Sequence, residues 1–115
     1  MVLANILTMK SNNQHINNLF KAIADPTRRE IFHALVLASV AMSINTISEQ
    51  FDITRQGVTK HIKTLEEAGL IKIESQGRER FCTADPKPLK KISKWINFYE
   101  KFWGDAMDRL DDHLG

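Results

Sequence analysis

Apolar positions along this chain fall into a series of short helical stripes, one alternating stretch, and one long stripe at the end. In residues 13–24, Ile16, Leu19, Phe20 and Ile23 mark one face of a short helix. Asp25-Pro26 then punctuates the chain. Aspartate suits an N-cap and proline the first helical turn, so a second helix is predicted through TRREIFHALVLAS, with Ile31, Leu35 and Ala38 inward and Phe32 beside them. Ile44, Ile47 and Phe51 are spaced i, i+3, i+7, and after the turn Asp52-Ile53, Val58, Ile62 and Leu65 repeat that face. Thr54 is placed to cap the second of these helices. Gly69 is placed to stop it, with Leu70 set for the hydrophobic contact that often follows such a glycine.

From Leu70 the period changes to two. Ile71 and Ile73 alternate with Lys72 and Glu74, Ser75-Gln76-Gly77-Arg78 reads as a turn, and Glu79 to Thr83 returns, which predicts a hairpin. A last helix is predicted to restart at Asp85-Pro86-Lys87-Pro88 and run almost to the end. On it Leu89, Ile92, Ile96, Tyr99, Trp103, Ala106 and Leu110 alternate spacings of three and four, a heptad seam. Trp95, Phe98 and Phe102 form a second stripe beside the first. A surface helix needs one apolar face to dock on its own core, and a second apolar face predicts burial against another subunit. Leu19 joins the seven seam residues in the expected dimer interface.

Two helices, a tight turn and a hairpin in that order predict a winged helix-turn-helix: mainly α with a small β-hairpin, occupying residues 15–115. Residues 1–14 are read as an N-terminal extension. Its MVLANILTM run is too short, and too poor in preceding basic residues, for a signal peptide or a spanning helix. It is expected to be partly disordered or lightly docked, or else to precede a working start at Met9.

Charge sharpens the picture by its distribution. The formal net charge is only +2. Residues 54–82 nevertheless hold six Lys/Arg against four acids, whereas residues 100–115 hold two against five. A basic surface at one end and an acidic one at the other would orient the molecule on a polyanion. The outward positions of the helix after Thr54 are Arg55, Gln56, Thr59, Lys60 and Lys63, a donor-rich face suited to the acceptor-rich edge of a DNA major groove. Arg55, Gln56 and Thr59 are the expected base-edge contacts, Arg55 for guanine and Gln56 for adenine. Lys60, Lys63, Arg78 and Arg80 are expected to neutralise phosphates and set register. His61 is either a phosphate contact or half-buried against the preceding helix. Arg28 and Arg29, in a first helical turn where the dipole disfavours cations, suggest either a phosphate or carboxylate partner or pairing with Asp25, Glu30 or another nearby acid.

The run LFKAIADPTRREIFHAL, then TISEQFDITRQGVTKHIKTLEEAGLIKIESQGRERF, then the aromatic last helix, resembles the ArsR family of bacterial winged-helix repressors. It is most similar to the branch with a DPTRR motif and without metal ligands. The likeness spans about residues 16–114. It implies an α-α-α-α-β-β-α fold, a dimer through the first and last helices, and binding of an operator with repression of transcription, often of the repressor's own gene. A two-fold dimer implies an imperfectly palindromic double-stranded operator. The family's recognition helix maps onto residues 54–68 and its wing onto residues 75–80, which brings Thr54 and Gln76 into the DNA-facing set.

Two departures accompany the resemblance. The helix INTISEQF carries none of the paired cysteines of metal-sensing members. The last helix offers only Asp105, Asp108, Asp111, Asp112 and His113, of which Asp108 and Asp112 are i, i+4 neighbours that could share a cation. No metal and no cofactor is expected. Gly57 stands where members usually have alanine, at about 1 kcal/mol of helix propensity, and close packing within the motif would explain it.

Three other readings compete: a winged helix serving as a protein-interaction module, a metal- or redox-responsive repressor, and an enzyme. Cys82, the single cysteine, permits only an intersubunit bond or a reversible adduct, and by default is a small buried hydrophobe. A cytoplasmic location fits one cysteine best. No Gly-rich phosphate loop, nucleophile–base spacing or clustered acids support catalysis, so no catalytic residue is assigned.

Overall fold

The computed structural model describes residues 14–114. The reading of the N-terminal extension lies outside the described residues, save for Gln14, which is helical. Helix α1 covers residues 14–24. It is followed by α2 (Pro26–Ala38), β1 (Met42–Ser43), α3 (Ile44–Phe51), α4 (Arg55–Glu67), β2 (Ile71–Gln76), β3 (Glu79–Ala84) and α5 (Leu89–Leu114). The three strands form one antiparallel sheet in the order β1-β3-β2.

The Asp25-Pro26 punctuation works as its chemistry predicts. Asp25 caps α2, its carboxylate accepting from the Arg28 amide at 2.9 Å, and Pro26 opens the helix. Arg28, close enough to Asp25 for its charge to be felt there, and Arg29 direct their hydrogen bonds to backbone carbonyls. Arg28 Nε donates to the Ala22 carbonyl at 2.9 Å and Nη2 to that of Lys21 at 2.7 Å, while Arg29 Nη1 donates to that of Ile23 at 2.5 Å. Both guanidiniums therefore close the C-terminus of α1, where carbonyls lack helical partners and cations suit the dipole. A cation misplaced for its own helix is well placed for the helix before it.

The core collects one face from each element: Leu19 and Ala22, Ile31 and Leu35, Ile44 and Ile47, then Val58, Ile62 and Leu65, with Leu70, Ile71 and Cys82 from the hairpin. Phe51 and Phe32 pack against it as partly buried neighbours. Ala38, expected inward, is exposed, because α2 ends there in the left-handed Ser39 (φ 59°). Gly69 (φ 78°) ends α4 in a Schellman arrangement, with its amide donating to the Glu66 carbonyl at 2.9 Å and the Leu70 amide to that of Leu65 at 3.0 Å. Leu65 and Leu70 are both fully buried, which supplies the expected hydrophobic contact.

Two features of the sheet differ from the sequence reading. The ladder continues to Gln76–Glu79, so the turn is Gly77-Arg78 rather than four residues. A positive φ of 64° at Gly77, and not at Arg78, is the pattern of a two-residue II′ hairpin. The strand β1 was not anticipated. It pairs Met42 with Cys82 and Ser43 with Phe81, and two residues are too few to show a period.

The last helix begins at Leu89, three residues after the proline signal, because residues 86–88 form a turn closed by the Leu89 amide on the Pro86 carbonyl at 3.0 Å. Its 26 residues make a rod of about 39 Å. Ile92 enters the core, and Trp95 meets Phe20 of α1 edge-on, ring centroids 5.1 Å apart. Beyond that point nothing in the described chain covers the apolar stripe.

Candidate nucleic-acid interface

The turn that sets α3 against α4 is tied by one serine. The Ser48 carbonyl accepts from the amides of Asp52 and Ile53, and its hydroxyl donates to the Ile53 carbonyl. Asp52 takes the left-handed conformation (φ 51°) that reverses the chain. Thr54 then caps α4, its hydroxyl oxygen accepting from the Gly57 amide at 3.0 Å. A Cβ on Gly57 would come within 2.8 Å of the Ile53 side chain and 3.2 Å of the Thr54 hydroxyl oxygen. The glycine is thus a packing requirement of the turn, met at the start of the helix rather than between two helix bodies.

With Val58, Ile62 and Leu65 buried, α4 presents Arg55, Gln56, Lys60 and Lys63 as exposed and Thr59 as half-buried on one face. The Thr59 hydroxyl donates back to the Arg55 carbonyl at 2.7 Å, so outward it offers a methyl group and acceptor lone pairs rather than a donor. His61 lies apart from this set. It projects from the opposite flank, half-buried, with Nδ1 3.4 Å from Arg28 Nη1. His61 is thus half-buried beside α2, as one of its two readings expected.

At the wing, Gln76, Arg78 and Arg80 are exposed. The fold folds this wing back toward α4 and the start of α3. Arg55 and Thr59 from α4, Arg78, Glu79 and Arg80 from the wing, and Ser43, Ile44 and Asn45 line one cleft of about 190 Å³. Asn45 was not among the residues expected to matter. Only the placement of β1 brings it there, and no sequence spacing carries that information.

The expected dimer residues divide. Leu19 is fully buried and Ile92 is 8 % exposed, so the monomer's own core already covers them; Leu89 is partly buried against that core. Leu19 and Ile92 are corrected to core residues, because the first turns of α5 and the middle of α1 close the bottom of the domain. Ile96, Tyr99, Trp103 and Leu110 stand exposed and Ala106 half-buried. The neighbouring stripe of Trp95, Phe98 and Phe102 is exposed too.

Cys82 is fully buried on β3, where burial, and then the charge of Glu66, push its thiol up to about 11. Such a thiol is protonated and inert at neutral pH. Among the described residues no three His, Cys, Asp or Glu side chains are grouped to hold a metal ion. Among them, too, no helix is long and apolar enough to cross a membrane.

A helix pair joined by a tight turn, a basic polar face on its second member, and a wing beside it define a winged helix-turn-helix regulator that binds DNA. Residues 23–74 match the family model described as a helix-turn-helix domain. YuzN of Bacillus subtilis, an uncharacterized HTH-type transcriptional regulator, is 36% identical over 90 residues, 73% of this chain and 98% of its own. The transcriptional repressor SdpR of the same organism is 32% identical over 87 residues, 75% of this chain and 94% of its own. The crystal structure of an ArsR family transcriptional regulator superposes with a TM-score of 0.72 at 29% identity, covering 80% of this chain and 93% of that one. This chain belongs to the ArsR family of winged helix-turn-helix transcriptional regulators.

Proposed function

We propose that the chain acts in the cytoplasm as a homodimeric repressor on a palindromic operator, in the manner named for SdpR, and that its own promoter is among its targets. In this reading α4 lies in the major groove, with Gln56 and Thr59 over base edges, Arg55 at the border between bases and backbone, and Lys60 and Lys63 on phosphates. Thr54 starts that helix at the groove wall, while Gln76, Arg78 and Arg80 of the wing hold the flanking backbone. The second half of α5 pairs with that of a second copy through Ile96, Tyr99, Trp103, Ala106 and Leu110, since all of these but the half-buried Ala106 stand exposed among the described residues. The observation that carries the proposal is the continuity of the exposed α4 face with the wing arginines around one cleft.

The interaction-module reading is disfavoured by what that surface lacks. The large exposed hydrophobics lie at the end of α2, just beyond it, and on α5, and none lies on α4 or the wing. A redox-responsive repressor would need a reachable thiolate, which Cys82 does not supply. Neither cofactor nor metal, and no catalytic role, enters the proposed function.

The test is a fluorescence titration against duplex DNA from upstream of the gene, at two salt concentrations with excess competitor. Specific, salt-sensitive binding is expected, with Lys63→Ala lowering the salt slope by about one. Binding no stronger than to competitor DNA, followed by failure to select any sequence from random duplexes, would remove the DNA-reading role.

A further inference from the structure

We propose that the cleft between α3, α4 and the wing is a binding site for one phosphate group, occupied in the complex by a single phosphodiester of the DNA backbone, with Asn45 as a contact residue. The proposal rests on the DNA-binding reading above.

The cleft is about 190 Å³, smaller than the ~300–1,000 Å³ of sites for drug-sized ligands and ample for a tetrahedral anion with a water or two. Three guanidiniums, from Arg55 on α4 and Arg78 and Arg80 on the wing, line it against one carboxylate, Glu79. Like charges drawn around one hollow repel unless an anion sits among them. Among the described residues, the arginines whose side chains make hydrogen bonds are Arg28, Arg29 and Arg109, so the three at the cleft keep their donors for a ligand.

The remaining lining distinguishes the donors that are committed from those that are not. The Ser43 hydroxyl is engaged with the Thr46 hydroxyl at 2.9 Å and the Thr46 amide at 3.1 Å. The Thr59 hydroxyl is engaged with its own helix. The half-buried Asn45 carboxamide makes no hydrogen bond within the described chain and supplies two further donors. Three guanidiniums, which only donate, with the Asn45 NH2 group beside them and a single carboxylate against them, favour an oxyanion with several acceptor oxygens over a cation.

The position names the source. One wall of the cleft is the first turn of the helix proposed to enter the major groove, and the other is the wing proposed to lie on the flank. The group that passes between those walls is a backbone phosphate of the strand bordering the groove. Arg55 then belongs with the backbone rather than with guanine, and base reading falls to Gln56 and Thr59. Wing and recognition helix are locked to the same linkage, which sets the register of α4 in the groove.

Asn45→Asp, which places a carboxylate against the phosphate, is expected to weaken binding of operator and non-operator DNA alike by tenfold or more, with an unchanged thermal midpoint. Arg55→Ala is expected to weaken both by a similar factor without altering the preferred bases. A scan of single methylphosphonate linkages should find one per half-site whose neutralisation weakens the wild type, with that sensitivity reduced in Asn45→Ala and Arg80→Ala and sensitivity elsewhere retained. Wild-type affinity in Asn45→Asp, or a scan profile that the variants leave unchanged, overturns the site. Loss of preference at one base position in Arg55→Ala overturns the assignment of Arg55. If the wild type binds no duplex, the DNA reading fails by itself, and inorganic phosphate then decides the cleft. Saturable NMR shifts of the Asn45 carboxamide with phosphate, and not with chloride at equal ionic strength, support it as a site for free phosphate; no shift overturns it.

Discussion

The body of the domain and its last helix carry apolar stripes of the same quality with opposite fates. On α4, Val58, Ile62 and Leu65 are fully covered by neighbouring elements of the same chain. On α5 the stripe is covered at its start, by Leu89 and Ile92, and by Trp103 two-thirds of the side chain is exposed. There Tyr99 packs against Trp95 and Phe98, ring centroids 4.8 and 5.2 Å away, while half or more of Tyr99 and Phe98 stays exposed. Periodicity alone therefore reports that a face will be buried, and is silent on whether the cover is intramolecular. The 64 × 38 × 22 Å extents of the molecule show why: α5 outruns the body that begins it.

That contrast can be broken at either end. Leu65→Ala should cost roughly 2–5 kcal/mol of stability in thermal or denaturant unfolding, because the site lies at the centre of the core and below the Schellman turn. A cost below 1 kcal/mol would mean that the body is not packed as described. Trp103→Ala should leave helix content nearly unchanged by circular dichroism while raising the dimer dissociation constant by about tenfold or more in sedimentation equilibrium. A wild type that sediments as a monomer at micromolar concentration would dismiss the pairing.

Smaller effects sharpen the account of the body. Asp52 holds a left-handed conformation that costs a non-glycine residue roughly 1 kcal/mol, so Asp52→Gly should raise stability by a few tenths to 1 kcal/mol. A lower melting temperature would point to an undetected role for the carboxylate. At the α1–α2 junction, the hydrogen bond from the Arg28 amide, helped by the nearby guanidinium, holds the Asp25 carboxyl below its usual range. A carboxyl depressed in the folded state stabilises fully above its unfolded pKa and loses that contribution as pH falls through the folded one. The stability gap between wild type and Asp25→Asn should accordingly shrink on acidification below about pH 4. A gap that stays constant from pH 7 to pH 3 would show that the charge does not matter there.

Local chemistry was legible wherever a residue type has one physical use. Asp25-Pro26, Thr54 and Gly69 cap or stop helices because nearby backbone groups need partners, and the i, i+3, i+4 spacing placed the core faces of α3 and α4 correctly. Other features depended on how one element packs against another. Arg28 and Arg29 face α1 carbonyls that only chain reversal brings near, and His61 follows Arg28 across 33 residues of sequence. Leu19 and Ile92 fitted the pattern of an interface and were claimed by the core instead.

The sequence by itself determined the order of the helices and the hairpin, the polar basic face of α4 and a chain reversal around Gly77, because each follows from local backbone preference or side-chain period, while β1 and the two-residue length of that reversal came from strand pairing. Tertiary structure alone decided that Asn45, Arg55, Arg78 and Arg80 share a cleft, since β1 must pair with β3 before α3 and the wing can meet. It also decided which part of α5 is core and which is left bare. Both outcomes depend on where the rest of the chain runs out of surface to cover them.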